Sequence, residues 1–444
     1  MSPPTAHDAL SDRMDRLPVT WLHALAMLLC AIGMTLDTVE MAFGGVLAAI
    51  FSAPPAPVPA GELGVLLAAV FVGAVLGAPA LGWWADRHGR RSALVGLMLW
   101  IAAASFASGL AQGVGALTLC RFLAGLALGG YPPIVIAYLT DLLPPQRRGT
   151  LICLSLALSL LGPPAAIFGV RWLAPLHPFA LEGWRWGFLA GGVGALLSGL
   201  SFLALPESPR WLHARGREAR AEAGCRAFES SRVLFKMPAD PAPAAAPARH
   251  PDEGTPPAGR RWPWIAGLFS LSPWATIAFP LLTGAALTQR GFKLDAALLI
   301  FGLSSMGPLL GTLLASTFMD RIDRRAAMAA CALAMLACGI AFNYSTGTAS
   351  LIVAMALFNL AVSLYVPLLT VYGAELFPTR QRASATAGAW ALNRMGGALG
   401  PLLLVPMLRG AGPAAMFAVV AASIVATLAV LSMAPRGRER RAVS

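Results

Sequence analysis

Long stretches without a single charged residue constrain this chain more than any other feature of its sequence. They lie at 94–111, 151–170, 188–205, 326–342 and 416–433. Crossing the hydrocarbon core of a bilayer takes about 20 residues of helix, and a helix satisfies its own backbone hydrogen bonds there. Only 12% of the residues are charged and 57% are hydrophobic, which is too little charge to cover a soluble protein. The sequence therefore predicts an all-α membrane protein.

Twelve spanning helices can be placed, six on each side of a long hydrophilic segment. They lie near 20–50, 62–85, 92–112, 116–140, 150–171, 186–205, 263–288, 295–318, 326–344, 349–372, 383–408 and 412–434. The predicted domains are an N-terminal segment (1–19), a six-helix bundle (20–205), a linker (206–262), a second six-helix bundle (263–434) and a tail (435–444). The first part of the linker, 206–236, suits short amphipathic helices, whereas the Pro- and Ala-rich part, 238–257, is typical of a disordered linker.

Basic residues alternate between the loops of the two membrane faces. Arginines cluster after the second, fourth, eighth and tenth spans, in the linker and in the tail, whereas the opposite loops carry few. The positive-inside rule then predicts that both termini are cytoplasmic. The net charge of +12 is an orientation signal and a contact with anionic lipid, and no basic stretch is interleaved with aromatic residues as in nucleic-acid binding. We expect a monomeric multi-pass protein of the cell inner membrane that binds a small molecule and no nucleic acid.

The two halves repeat each other at a constant offset of 234 residues. The offset relates Asp86 to Asp320, Asp141 to Glu375, Arg148 to Arg382, Gly73 to Gly307, Gly77 to Gly311 and Gly162 to Gly396. One offset across several helices indicates a duplication, and it predicts two pseudo-twofold-related bundles with a binding site at their interface.

Features present in both halves suit a gate or a shared scaffold. Acids and arginines end corresponding helices on one face, so they can pair when that face closes. The predicted pairs are Asp86 with Arg90, Asp141 with Arg148, Asp320 with Arg324 and Glu375 with Arg382. The alternative is positive-inside anchoring plus turn chemistry. We assign to the cytoplasmic gate Gly82, Asp86, Arg87, Gly89, Arg90, Asp141, Arg148, Glu207, Arg210, Asp320, Arg324, Glu375 and Arg382. Paired glycines four residues apart are expected to pack helices closely.

The segment Gly82-Trp83-Trp84-Ala85-Asp86-Arg87-His88-Gly89-Arg90-Arg91 resembles the signature loop between helices 2 and 3 of the major facilitator superfamily. Segments 121–125, 141–149, 184–186 and 206–212 resemble its sugar porter, organic ion transporter and aromatic-acid/proton symporter branches, and 372–382 with 394–397 is closest to the latter two. The resemblance implies secondary active transport by alternating access. The second copy of the loop has Ser316 and Asp323 where glycines are usual, so it is expected to be the weaker gate.

Two acids in the first helix have no counterpart in the second half. Asp37 and Glu40 lie at membrane depth, where carboxylates are costly and usually functional. A spacing of three places them on nearly one helix face, and a buried carboxyl pair can carry a proton. The alternative is that both pair with a basic residue to hold helices together. The pair resembles the Asp-x-x-Asp motif of aromatic-acid symporters, with Glu40 as the second acid and Thr38 where that motif has glycine.

Two arginines at membrane depth also occur in one half alone. Arg121 is expected to pair with Asp37 or Glu40, because a buried arginine needs an anionic partner. Arg394 is the candidate to bind a substrate carboxylate through both nitrogens, the alternative being a pair with a gate acid. Polar and aromatic residues that could complete a mostly apolar pocket are Asn393, Trp390, Tyr131, Tyr365 and Asn359.

Together these features predict proton-coupled symport of a small organic acid, including aromatic carboxylates, with Asp37, Glu40 and Arg121 in proton coupling. Alternatives are a sugar or polyol–proton symporter, a proton-antiport drug exporter and a membrane sensor. Against the sugar porter, the helix at 264–288 lacks the paired glutamines that a resemblance to sugar porters implies. The sequence has no phosphate-binding loop and no metal-ligand cluster, so we expect no enzyme activity, no bound metal and no cofactor other than the coupling proton.

Overall fold

The computed structural model describes residues 6–54, 57–145, 148–176, 178–235, 258–318, 323–377 and 379–435, without the side chains of 6–9, 11, 180, 258–260, 315–318, 374 and 379–384. The first half contains α1 (Ala6–Arg16), β1 (Val19–Thr20), α2 (Trp21–Ile50), α3 (Ala60–His88), α4 (Arg90–Leu110), α5 (Val114–Leu142), α6 (Arg148–Ser159), α7 (Gly162–Leu173) and α8 (Gly183–Ser201). The linker contributes α9 (Pro209–Ala214), α10 (Glu218–Glu229) and β2 (Val233–Phe235). The second half contains α11 (Ala258–Pro273), α12 (Phe279–Gln289), α13 (Leu294–Ser304), α14 (Gly307–Phe318), α15 (Arg324–Tyr344), α16 (Thr348–Glu375) and α17 (Thr379–Met433).

The prediction of an all-α membrane protein with twelve spans is confirmed. Within the described residues, 11 helical segments are long and apolar enough to cross a membrane, and the last covers 49 residues. At about 1.5 Å per residue, that last segment is more than twice the thickness of a hydrocarbon core of about 30 Å. It breaks at Gly412, whose φ of 88° is left-handed, so α17 contributes two antiparallel spans, as the glycine favours.

Three spans consist of two helical pieces. In the fifth, α6 ends at Ser159 and α7 begins at Gly162; in the eighth, α13 ends at Ser304 and α14 begins at Gly307. The seventh joins α11 to α12 through a π-helical turn at Trp274–Ala278. Breaks of this kind free backbone groups inside the membrane, where they line cavities or contact polar side chains.

Close glycine packing holds helices together within each half, as expected. A Cβ atom built on Gly73 would lie 2.3 Å from the Phe122 carbonyl oxygen, and one on Gly77 would lie 1.9 Å from that of Leu126. In the second half, a Cβ on Gly307 would lie 2.3 Å from the Ala356 carbonyl oxygen. Side chains larger than hydrogen would therefore separate α3 from α5 and α14 from α16.

The structure extends the internal repeat to two pairs of tyrosines. The 234-residue offset also relates Tyr131 to Tyr365 and Tyr138 to Tyr372. The Tyr138 hydroxyl donates to the Pro206 carbonyl at 2.6 Å, and the Tyr372 hydroxyl donates to the Pro435 carbonyl at 2.5 Å. Each half thus anchors the chain that follows its sixth span in the same way.

We call the face where α2 begins the amino-terminal face and the opposite one the far face. Hydrogen bonds and ion pairs that join the two halves, among described residues, lie at the far face. Arg171 pairs with Asp295 at 2.9 Å, and Arg409 donates to the carbonyls of Phe51 and Val58. The described ion pairs of the transmembrane helix ends at the amino-terminal face each stay within one half. The halves are therefore locked together on the far side of the membrane.

The N-terminal segment and the linker form a small structure at the amino-terminal face that was not predicted. β1 pairs antiparallel with β2, and α1 packs on α9 and α10. Arg13 forms ion pairs with Glu222 at 2.8 Å and with Glu229 at 2.9 Å. The Arg13 guanidinium lowers the pKa of the Glu222 carboxyl through these hydrogen bonds. The predicted amphipathic helices correspond to α9 and α10, whereas 238–257 lies outside the described residues.

Candidate functional site

A cavity of about 350 Å³ lies between the two halves at membrane depth. Its lining comes from the spans that meet there: Asp37, Met41, Ala42, Gly45, Phe71, Thr276, Ile277, Pro280, Leu281, Phe301, Trp390, Asn393 and Arg394. Three aromatic rings and several aliphatic side chains surround four side chains with polar groups. Such a lining suits a small, mostly apolar ligand fixed by a few polar contacts.

Asp37 and Arg394 place opposite charges in this cavity from opposite halves of the protein. Both line it, and the two groups attract each other electrostatically. No salt bridge within 4.0 Å joins them among the described residues, and the Asp37 Oδ1 atom is buried without a hydrogen-bond partner. The acid and the base therefore face one cavity without a direct ion pair between them.

Glu40 lies in a different environment from Asp37. The Arg121 guanidinium donates to Glu40 Oε2 at 2.5 Å and to the Glu40 carbonyl at 2.8 Å. The Ser105 hydroxyl donates to Glu40 Oε1, and Arg121 lies 5.5 Å from the centre of the Phe188 ring. The side chains of Arg121 and Glu40 are only 1% and 3% exposed. Of the two predicted partners of Arg121, Glu40 is the one that pairs with it in the structure.

The predicted adjacency of Asp37 and Glu40 on one helix face does not bring their carboxyl groups into one site. Residues three apart on a helix differ by about 60° around the axis, and α2 packs against helices of both halves. Asp37 consequently lines the cavity, whereas Glu40 points into the first half against α4 and α5. Glu40 is therefore held by Arg121 and Ser105, whereas Asp37 faces the cavity.

Of the predicted pocket residues, Trp390, Asn393 and Arg394 line the cavity. The Asn393 side-chain amide also donates to the Ser272 hydroxyl at 3.1 Å, which fixes its orientation. Tyr131, Tyr365 and Asn359 do not belong to the cavity lining.

Those three residues lie elsewhere in the fold. The Asn359 amide donates to the Ser304 carbonyl at 3.1 Å and thereby satisfies a backbone acceptor at the break between α13 and α14. The hydroxyls of Tyr131 and Tyr365 are buried inside their own bundles without hydrogen-bond partners among the described residues.

Three residues predicted for the cytoplasmic gate, Asp86, Arg90 and Asp141, form one connected group at the amino-terminal face. Arg90 pairs with Asp86 at 2.5 Å and lies 4.0 Å from Asp141. Asp141 also accepts a hydrogen bond from the Ser208 hydroxyl at 2.8 Å. The ends of α3, α4 and α5 and the start of α9 are thereby tied to one another through charge and hydrogen bonding.

Glu207 caps the beginning of α4. Its carboxylate accepts from the backbone N–H groups of Arg91 at 2.9 Å and Ser92 at 3.3 Å, where a helix favours a negative charge. Gly89, with a φ of 109°, precedes this turn, and a Cβ there would lie 2.2 Å from Glu207 Oε2. Both the backbone conformation and the space at residue 89 thus require glycine.

Other gate residues differ from their predicted partners. Arg148 lies 3.8 Å from Asp15 of the N-terminal segment and donates to the Leu143 carbonyl, so its predicted ion pair with Asp141 is replaced. Arg210 binds the same Asp15 at 2.5 Å. α1 supplies the acid that pairs with both arginines. No motif in the sequence had indicated this pairing.

The remaining gate residues are placed as follows. Arg324 lies 3.6 Å from Glu375, while Asp320 and the Arg382 side chain lie outside the described part of the chain. Arg87 is exposed and stacks over the Trp83 ring at 5.6 Å. Gly82 has open space where a Cβ would lie.

Several residues at these sites escaped the sequence reasoning. Ser105, which binds Glu40, is one of many serines in apolar helices and carries no distinguishing pattern. Thr276, which lines the cavity, lies in the π-helical turn. Pro273 and Pro280 flank that turn, so an interrupted seventh span could have been inferred from proline spacing.

Comparison with known families identifies the family to which this chain belongs. The family model described as Major Facilitator Superfamily matches residues 57–401 and 263–443. The chain belongs to the major facilitator superfamily. It is 29% identical over 405 residues to the inner membrane metabolite transport protein YgcS of Escherichia coli, covering 88% of this chain and 86% of that one. It is 27% identical over 409 residues to the gallate transporter of Pseudomonas putida, covering 89% and 87%.

The fold is that of solved members of this superfamily. The inward-open xylose transporter XylE of Escherichia coli superposes with a TM-score of 0.73 at 17% identity, covering 96% of this chain and 98% of XylE. The predicted superfamily membership is thus confirmed. The protein is a multi-pass membrane transporter of small-molecule metabolites and not an enzyme.

Proposed function

We propose that this transporter couples the uptake of a small organic acid, of the aromatic carboxylate class, to protons. The observation that carries the proposal is that an acid from the first half, Asp37, and a base from the second, Arg394, line one apolar cavity without a direct ion pair between them. A guanidinium binds a carboxylate through two parallel hydrogen bonds. When Asp37 is protonated it no longer competes for Arg394, so proton loading favours anion binding.

The apolar part of the cavity supports an aromatic substrate. Phe71, Phe301 and Trp390 line it beside Arg394, and aromatic rings pack favourably on one another. The relatedness to a gallate transporter over most of both chains supports the same class, because gallate is an aromatic carboxylate. The aromatic rings and the guanidinium that share this cavity suit an aromatic carboxylate, so we place it ahead of the sugar porter alternative.

The two acids of α2 take separate roles in this proposal. Asp37 exchanges protons in the cavity, whereas the Glu40–Arg121 pair holds α2 against α5 in the low-dielectric interior, where a charge needs a partner. Protons are the coupling ion, and no other cofactor is required.

The proposed orientation places the amino-terminal face in the cytoplasm of a bacterial-type inner membrane. The clustered arginines lie on that face, and a relative is named as an inner membrane protein. With the far-face contacts closed, the cavity would exchange with the cytoplasm, and a monomer contains the complete site.

Ligand binding to the purified protein tests the substrate class. We expect gallate and benzoate to raise the melting temperature, whereas the methyl ester of gallate, arabinose and xylose do not. Arg394→Gln should weaken gallate binding by about 10- to 100-fold, because a charge-assisted hydrogen-bonded contact contributes about 1.5–3 kcal/mol. Arg220→Gln, on the exposed surface of α10, is the matched control and should bind normally. Equal binding of gallate and its methyl ester, or of Arg394→Gln and the unmodified protein, would refute the assignment.

A further inference from the structure

Two hydrogen bonds to α11 fix the orientation of the Asn393 side chain in the cavity wall. Its amide nitrogen donates to the Ser272 hydroxyl oxygen at 3.1 Å and to the Phe269 carbonyl oxygen at 3.4 Å. A carbonyl oxygen can only accept, so the second contact identifies the nitrogen end of the amide. Both hydrogens of that nitrogen are thereby used. The group that Asn393 offers to the cavity it lines is its side-chain oxygen, an acceptor.

Thr276 offers the cavity an acceptor of the same kind. Its hydroxyl donates to the Ser272 carbonyl oxygen at 2.9 Å, so its hydrogen is used and its remaining lone pair can only accept. The residue lies in the π-helical turn and lines the cavity. Ser272 is itself buried and does not belong to the lining. One buried serine therefore positions two acceptors, which come from two different spans.

The two spans that carry these acceptors are closely packed at this point. A Cβ built on Gly396, one turn beyond Asn393, would lie 2.7 Å from Cγ of Pro273 and 3.1 Å from the Ser270 carbonyl oxygen. The ring of Trp390 also packs edge-on against Phe269, with 5.5 Å between the ring centres. Because such packing restricts movement, the acceptors are held in place before a ligand binds, and this lowers the cost of binding.

The polar groups that the second half contributes to the cavity divide into donors and acceptors. The Arg394 guanidinium only donates, whereas the Asn393 oxygen and the Thr276 hydroxyl have only acceptor capacity left. Once a ligand displaces water from the cavity, an acceptor without a donor costs free energy. A carboxylate supplies no donor, and neither does an unsubstituted aromatic ring. The ligand that satisfies this cavity therefore carries donors as well as a negative charge.

We propose that Asn393 and Thr276 form an acceptor pair that selects ring-hydroxylated aromatic carboxylates over unsubstituted ones, an inference that rests on the proposed binding of the carboxylate by Arg394. The ring hydroxyls donate to the Asn393 side-chain oxygen and to the Thr276 hydroxyl oxygen. Neighbouring residues of a helix differ by about 100° around the axis, so Arg394 and Asn393 approach the ligand from different directions. Ser272 is the positioning residue of the pair.

Calorimetric titration of the purified full-length protein with two nearly isosteric ligands tests the acceptor pair. The ligand 3,4-dihydroxybenzoate carries two donors, and 3,4-difluorobenzoate has fluorine in their place beside the same carboxylate. The unmodified protein should bind the dihydroxy acid at least about tenfold more tightly. Asn393→Leu and Thr276→Val should each reduce this ratio about threefold or more, by weakening binding of the dihydroxy acid alone. Ser272→Ala removes one anchor of Asn393 and should reduce the ratio in the same direction.

Thr283→Val is the matched control for Thr276→Val. Thr283 is buried in α12 and donates to the carbonyl oxygen four residues earlier, that of Phe279, as Thr276 does to Ser272. It does not belong to the cavity lining. The ratio of the two affinities should therefore be that of the unmodified protein. A merely structural effect of any variant changes both affinities alike and leaves the ratio where it was.

The outcomes separate the acceptor pair from the proposed function. Equal affinities of the two acids for the unmodified protein overturn the pair, whether or not any variant folds. A ratio that persists in both Asn393→Leu and Thr276→Val also overturns it, because the hydroxyls would then bind elsewhere in the cavity, such as at Asp37. Arg394→Gln should weaken both acids equally and keep the ratio. Weakening of both acids in that variant together with equal affinities in the unmodified protein would leave the proposed function standing without the pair. If neither acid binds, both fail.

Discussion

Replacing Arg121 by alanine should strongly destabilise the protein, because it leaves a buried carboxylate without its charged partner. The guanidinium contacts both the carboxylate and the carbonyl of Glu40, at 2.5 and 2.8 Å, and it is 1% exposed. Arg121→Ala leaves the Glu40 carboxylate buried with only the Ser105 hydroxyl as a partner. Breaking one side of a buried ion pair costs about 3–5 kcal/mol.

Matched variants separate the contribution of the charge to the free energy of unfolding from that of the hydrogen bonds. Glu40→Gln keeps the shape but leaves the arginine charge unpaired, so it should cost nearly as much as Arg121→Ala. Ser105→Ala removes one hydrogen bond to a charged group and should cost about 1.5–3 kcal/mol. Unfolding of each variant in mixed detergent, followed by circular dichroism, gives the free energies. The reasoning would be refuted if Arg121→Ala lost less than about 1 kcal/mol or less than Ser105→Ala.

Three further predictions concern the amino-terminal face. Asp86→Asn removes the ion pair with Arg90 and should reduce transport while expression survives; unchanged flux and unchanged accessibility of cysteine probes on that face would reject a gate role for it. A reporter fused after Ala245 should be cytoplasmic and one in the 54–59 loop external, and the reverse pattern would overturn the orientation. Because Arg13 lowers the pKa of Glu222 below its ordinary 4.5, their ion pair contributes stability above that value and loses it as the pH falls through the lowered pKa. Deuterium uptake by α1, corrected for intrinsic rates, should stay low at pH 6 and rise only in stronger acid, so loosening already at pH 6 would contradict this.

Hydropathy and charge were sufficient to locate the spans, because both follow from the cost of placing polar groups in lipid. α2 begins and ends within one residue of its predicted bounds of 20–50. The 234-residue offset likewise located corresponding helix ends, because duplicated halves keep their packing glycines. The division of the last 55-residue helix could also be predicted, since Gly412 lies at the predicted start of the twelfth span.

The partners of individual charges could not be predicted in the same way. Whether Arg121 binds Asp37 or Glu40 depends on a rotation of about 60° around α2, which a spacing of three does not fix. The pairing of Asp15 with Arg148 and Arg210 depends on where α1 docks. That docking uses β1, β2 and an ion-pair cluster far apart in the sequence. Such contacts depend on tertiary packing, which local patterns do not encode.

The most direct test of proton coupling through the cavity is uphill uptake in proteoliposomes. With an inward proton gradient, the unmodified protein should accumulate radiolabelled gallate, and a protonophore should abolish the accumulation. Asp37→Asn should lose accumulation yet retain exchange of labelled for unlabelled gallate at equal pH, which needs no net proton movement. Accumulation that is indifferent to the protonophore, or that persists in Asp37→Asn, would contradict the account.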